Sequence, residues 1–196
     1  MILPVIAYGD PVLRKVAKEI TKDHSKLDEI IDNMWETQYN ASGVGIAAPQ
    51  VGLSMRLFVI DASPFADDDD LSEEEQGFLK NFKRVFINPI IIEESGEEWA
   101  FNEGCLSIPD VREDVFRQEQ IVVEYFDENW KKQKETLNGL AARVVQHEYD
   151  HIEGVLFTDK LSTLKKRLIK GKLSNITKGK VNADYRMRFP QAKKKR

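Results

Sequence analysis

Apolar residues along this chain fall into a few distinct rhythms, separated by polar stretches. Between residues 24 and 41, Leu27, Ile30, Ile31, Met34 and Trp35 recur at helical spacing, which predicts a helix with one apolar face and His24 on the surface. Leu57-Phe58-Val59-Ile60 is continuously apolar, so residues 56–61 are expected to form a strand buried on both faces. Residues 85–93 read as a second strand interrupted at Pro89, and residues 98–101 as a segment leading into a turn at Cys105. Residues 120–126 and 131–137 flank Asp127-Glu128-Asn129 as a hairpin would. In the helix that follows, Leu140, Val144, His147 and His151 share the inward stripe, with Asn138 as N-cap and Gly154 as stop. Residues 162–173 form a last, basic helix. Strands grouped ahead of a central helix imply an α+β fold, mostly antiparallel sheets packed around that helix, with a C-terminal helix.

At 196 residues the chain can bury a full core without disulfides. Its single cysteine excludes an internal disulfide framework and fits a reducing compartment. Residues 1–7 are apolar but short, lack a basic flank and are cut by Pro4. Neither a signal peptide nor a membrane span is expected, and the expected location is the cytoplasm. The net charge of -4 conceals a segregation. Asp67 to Asp70 and Glu73 to Glu75 make an acidic loop within residues 61–82. Basic residues gather instead at Lys165, Lys166, Arg167, Lys170, Lys172, Lys178, Lys180, Arg186, Arg188 and 193–196. A solvated surface accounts for either group, and the basic end also suits nucleic acid or an acidic partner.

Three short stretches carry the candidate chemistry. On one helix, His147 and His151 stand a turn apart on one face, both able to reach one metal ion, and Glu148 beside them is placed to take a proton from water. Cys105, in Glu103-Gly104-Cys105-Leu106-Ser107, is a third ligand candidate. Three protein ligands with a position left open are a catalytic arrangement, because a structural site is normally closed by four. Gly43 to Gln50 lacks the third glycine of a dinucleotide fingerprint. Its small residues would let a substrate backbone approach while the Gln50 amide points at a reaction centre. Each stretch alone is weak: a lone buried cysteine is usually a small hydrophobe, and an isolated HExxH can be a surface helix. A buried helix face carrying His, Glu and His is nevertheless costly unless something binds there.

Together the three stretches resemble the motifs of the peptide deformylase family: Gly-x-Gly-x-Ala-Ala-x-Gln at residues 43–50, Glu-Gly-Cys-x-Ser at 103–107 and His-Glu-x-Asp-His at 147–151. The resemblance runs from about Leu3 to about Leu173. The acidic stretch between Asp61 and Phe82 is longer than compact members of the family need. The expected organisation is one catalytic domain over residues 1–173 and a basic, loosely ordered tail over 174–196.

The resemblance implies removal of the N-formyl group from the initiator methionine of nascent polypeptides, releasing formate. It implies Glu148 as the proton shuttle, with the Gln50 amide and the Leu106 backbone N–H as oxyanion donors. Cys105, His147 and His151 would hold one divalent ion, Fe(II) in the cell, although Zn(II) or another divalent ion suits the same donors. Gly45 beside Gln50 would wall the formyl site, with Val44, Leu140 and Val144 lining the methionine slot. Val44 and Gly104 would pair with the peptide backbone. Glu103, held by Arg117, would orient a ligand histidine. The basic helix would serve for docking to the ribosome. Two competing functions are a zinc endopeptidase, whose third ligand normally lies downstream of HExxH, and a nonenzymatic metal-stabilised ribosome-binding module.

Overall fold

The computed structural model describes residues 1–190. In chain order its elements are β1 (Val5–Ile6), α1 (Leu27–Asn40), β2 (Gly45–Ala47), β3 (Leu57–Asp61), α2 (Glu73–Lys80), β4 (Lys83–Cys105), β5 (Ile108–Phe126), β6 (Lys132–Asn138), α3 (Gly139–Ile152), α4 (Thr163–Thr177) and β7 (Met187–Arg188). Strands β2 to β6 form one antiparallel sheet in sequence order, and β1 pairs in parallel with β7. This is the expected α+β architecture. Among the described residues, no helix is long and apolar enough to cross a membrane.

Strand β3 explains how sheet and helices hold together. Its pleat sends successive side chains to opposite faces. Leu57 and Val59 join Ile31 and Met34 of α1 in one apolar cluster, while Phe58 and Ile60 join Ala141 and Val145 of α3 in another. A continuously apolar run is what a strand between two helices requires. All four side chains are fully buried. Truncating Phe58 to alanine would therefore cost about 3–5 kcal/mol.

Helix α3 is enclosed on nearly every side, with Leu140 to Gln146, Glu148, His151 and Ile152 all buried. It stops where the sequence predicts. Gly154 takes a φ of 73°, its N–H donates to the His151 carbonyl, and the Val155 N–H reaches back to the Asp150 carbonyl. Asn138 stands at the N-cap position, but its side chain accepts from Gln120 Nε2 instead of capping the helix.

Four expectations need correction. The segments at 85–93 and 98–101 are one strand, β4, paired with β5 as far as Cys105. Register shifts at Ile87/Ile90 and Ser95/Glu98 absorb Pro89, which has no N–H for the ladder, and Gly96, whose φ is 84°. Strand β5 starts at Ile108 instead of residue 120. Its buried positions include Arg117 as well as Val111, Val115, Ile121 and Val123, so a charged residue masked the alternation. The acidic loop contains α2, which begins with a reciprocal cap: the Glu75 N–H donates to Ser72 Oγ, and the Ser72 N–H donates to the Glu75 carboxylate. Finally, the boundary expected at Leu173 falls inside α4, which continues to Thr177 with Ile176 buried. Beyond it, the Val5 N–H donates to the Arg186 carbonyl and the Ala7 N–H to the Arg188 carbonyl, each at 2.9 Å, so β7 is tied to β1. The basic residues at 193–196 lie outside the described residues.

Candidate active site

Cys105 ends β4, and Leu106 and Ser107 form the turn into β5. That turn meets the last two turns of α3. The Cys105 Sγ lies 3.3 Å from His151 Nε2, and one donor atom each from Cys105, His147 and His151 falls within 4.8 Å of the other two. Two imidazoles and a thiol are a donor set for a divalent first-row metal, and their convergence fits one ion. Burial, followed by the positive charges of His147 and Arg117, holds the His151 pKa well below its usual value. His151 is therefore neutral, as a ligand must be. Burial works against a proton on His147 too, but its neighbours Cys105 and Glu103 outweigh it and raise the His147 pKa.

The orientation of His147 comes from a buried charge network. Its Nδ1 meets Glu103 Oε2 at 2.9 Å, which leaves Nε2 as the free donor. Glu103 also accepts from Arg117 Nε at 2.7 Å, Arg117 Nη2 at 3.0 Å and Arg143 Nη1 at 3.0 Å. Arg117 spans to Asp150 through Nη1 at 2.7 Å. Burial alone would raise the Glu103 pKa, but the bonds to His147 and Arg117 hold it well below the usual carboxylate range. Two carboxylates thus face two guanidiniums. A pair this deep is stable only while every partner is present.

Glu148 is buried differently. Its Oε2 has no hydrogen-bond partner among the described residues, and burial pushes its pKa up to about 7. Its Oε1 occupies the space over Gly45, where a Cβ would come within 2.6 Å of it. Gln50, also buried, accepts from the Ala47 N–H at 2.8 Å through Oε1. Because a backbone N–H can only donate, that contact fixes which way the amide faces. Nε2 therefore points into the site, 3.5 Å from Cys105 Sγ and 3.4 Å from Ser107 Oγ.

These groups open onto a cavity of about 450 Å³. Val44, Gly45, Gln50, Glu103, Gly104, Cys105, Leu106, Val144, His147 and Glu148 all line it, so the sequence-predicted set is brought together with few exceptions. Arg117 lies behind Glu103. Leu140 does not line this cavity: it faces a separate groove between α2 and β6, with Leu71, Phe78 and Thr136. Position 140 precedes Val144 by one turn, and the helix carries it away from Cys105 toward β6.

Sequence reasoning missed Phe65, Phe101, Arg112 and Arg143, all of which line the cavity. Arg143 had a readable signal, since it stands one turn before His147 on the same face of α3. Phe65 comes from the acidic stretch and meets Phe101 edge-on, with ring centroids 6.2 Å apart. Nothing in the local sequence announces that contact.

The chain is similar to known proteins along most of its length. A family model described as polypeptide deformylase matches residues 2–167. The peptide deformylase of Christiangramia forsetii is 70% identical over 196 residues and is covered, like this chain, along its whole length. That of Flavobacterium psychrophilum is 63% identical over 194 residues, covering 99% of this chain and 100% of its own. The crystal structure of a peptide deformylase from Legionella pneumophila superposes with a TM-score of 0.76 at 38% identity, covering 89% of this chain and 95% of that one.

Proposed function

The chain belongs to the polypeptide deformylase family and removes the N-formyl group from nascent polypeptides, and from that premise we propose how its own residues do so. The observation that carries the assignment is the convergence of three donors, Cys105, His147 and His151, beside a buried carboxylate on Glu148 with an unpartnered oxygen.

Cys105, His147 and His151 hold one divalent ion, Fe(II) in the cell, with Zn(II) able to use the same nitrogen and sulfur donors. When bound, the ion supplies Lewis acidity, lowering the pKa of water toward about 7 and polarising a carbonyl. Glu148 takes the proton of the attacking water and returns it to the amine nitrogen of the leaving peptide. A pKa near 7 suits both directions of that transfer at neutral pH. Gln50 Nε2 and the Leu106 N–H donate to the oxygen of the formyl group as negative charge builds on it, and each such donor is worth about 3 kcal/mol in the transition state. Glu103 keeps His147 turned with Nε2 toward the centre, and Arg117 keeps Glu103 in place.

Specificity follows from how little room is left. Gly45 already touches Glu148 closely, so the wall there admits a formyl hydrogen and rejects a bulkier acyl group. The methionine side chain occupies the apolar part of the cavity, between Val44, Leu106 and Val144. The peptide backbone enters between Val44 and Gly104. Strand β2 is the edge of its sheet, and β4 pairs with β3 only as far as Ile87, so both present backbone groups for an added strand.

The working compartment is the cytoplasm. Ribosomes are the partner we assign to α4, where Lys166, Arg167, Lys170 and Lys172 are exposed, whereas Lys165 is held by Glu113 at 3.0 Å. Formate release from a formyl-methionyl peptide by the metal-loaded chain tests the whole reading. Cleavage of an internal peptide bond without formate would favour a zinc endopeptidase instead.

A further inference from the structure

The turn that follows Cys105 departs from a regular two-residue hairpin. Leu106 and Ser107 both lack the positive φ of the turns whose twist matches a hairpin. Register is also lost beside it, where the pairing jumps from Gly104 with Arg112 to Cys105 with Ile108. The turn also makes contacts outside the hairpin.

Both of its carbonyls are held from outside. The Ser107 carbonyl accepts from the Tyr8 N–H at 2.8 Å. The Leu106 carbonyl accepts from the Tyr185 hydroxyl at 2.7 Å. Tyr8 follows β1 and Tyr185 precedes β7, and those two strands pair with each other, so the two clamps share one frame. The Tyr185 ring packs in the apolar cluster that also contains Leu106 and Met187, which aims the hydroxyl. The Leu106 carbonyl belongs to the central peptide unit of the turn, the unit whose rotation separates one turn type from another. The Leu106 N–H belongs to the preceding peptide unit, joined to this one at the Leu106 Cα. With Cys105 paired to Ile108 on one side and both turn carbonyls anchored on the other, the dihedrals at Leu106 have little freedom and the direction of that N–H is restricted.

We propose that Tyr185 is a positioning residue of the hydrolytic site, its hydroxyl locking the Leu106 peptide so that the Leu106 N–H and the Cys105 thiol face the reaction centre. The inference rests on the reading above, in which the Leu106 N–H is an oxyanion donor. Tyr185 comes from outside the stretch that the family model matches, residues 2–167, so the C-terminal segment contributes to the site from a distance.

Tyr185→Phe keeps the ring and removes only the donor. In the full-length zinc-loaded chain, kcat for formate release from a formyl-methionyl peptide should fall about tenfold, a fraction of the loss expected when an oxyanion donor is removed outright. KM should stay within about twofold, because a misaimed transition-state contact leaves substrate binding intact. Nitrogen-15 relaxation gives a readout independent of turnover: order parameters at Leu106 and Ser107 should drop from about 0.85 toward 0.6, while those at Val123 hold. Unchanged order in the turn, unchanged kcat, or a loss confined to KM would each overturn the proposal. Wild-type protein that releases no formate would instead overturn the deformylase reading, and the relaxation comparison would still decide whether Tyr185 clamps the turn.

Discussion

A side-chain carbon on Gly45 would lie 2.6 Å from Glu148 Oε1 and 2.9 Å from its Cδ and Cγ, so this glycine and this carboxylate are fitted to one another. A side chain cannot be added at Gly45 without moving Glu148. Gly45→Ala should push Glu148 off its position and lower kcat by at least about tenfold, since small misplacements of a catalytic group are costly in rate. Metal content should stay at wild-type stoichiometry. An alanine variant with wild-type kcat would show that the position of Glu148 is not critical.

Glu148→Gln separates proton transfer from metal binding. The amide cannot shuttle a proton, so kcat should fall by at least about 100-fold. One equivalent of metal should remain, whereas Cys105→Ala should lose it. The variant should also melt no lower than wild type, because the carboxylate it replaces is buried with Oε2 unpartnered. Metal analysis, turnover and a thermal melt on the same preparations check all three expectations.

Arg117 tests the network behind His147. Replacing it with leucine leaves Glu103 with Arg143 and His147, and Asp150 with the more distant Lys160, at 3.5 Å. Breaking one member of a buried ionic network costs about 3–5 kcal/mol. A loss near the lower end is expected in urea denaturation, because Arg143 and His147 still bond to Glu103. Metal affinity should weaken by about 10–100-fold as His147 loses its fixed orientation. A variant as stable as wild type, with equal metal affinity, would remove Arg117 from the site.

The same residues show what a sequence can and cannot disclose. The cluster of Cys105, His147 and His151, with Glu148 and Gln50 on the same cavity or beside it, was legible because local spacing or a compact motif encodes it. Strand β3 was legible because burial on both faces leaves an unbroken apolar run. Strand β5 was read too short because its inward face carries Arg117, and only the positions of Glu103 and Asp150 explain a charge there. Phe65 and Tyr185 reach the site through contacts with residues more than thirty positions away, at Phe101 and Leu106, which no local periodicity records. Leu140 failed for the opposite reason: it shares the stripe of His147, but a helix face long enough to hold both spans two different cavities.

The exposed lysines of α4 give the last prediction. A deformylase must meet chains as they emerge, and Lys166, Lys170 and Lys172 present positive charge that forms no ion pair within 4.0 Å among the described residues. Lys165 is a poor choice for reversal, because its ammonium already pairs with Glu113 and a glutamate there would repel it. Changing Lys166, Lys170 and Lys172 to glutamate should weaken co-sedimentation with ribosomes. Wild-type binding should itself weaken as salt rises from about 50 to 200 mM, the signature of charge-driven docking on nucleic acid. Turnover of a short formyl-methionyl peptide should not change, since these side chains lie outside the catalytic cavity. Co-sedimentation that survives the reversal would assign α4 a purely solvated face, with Ile169 and Ile176 holding it to the core.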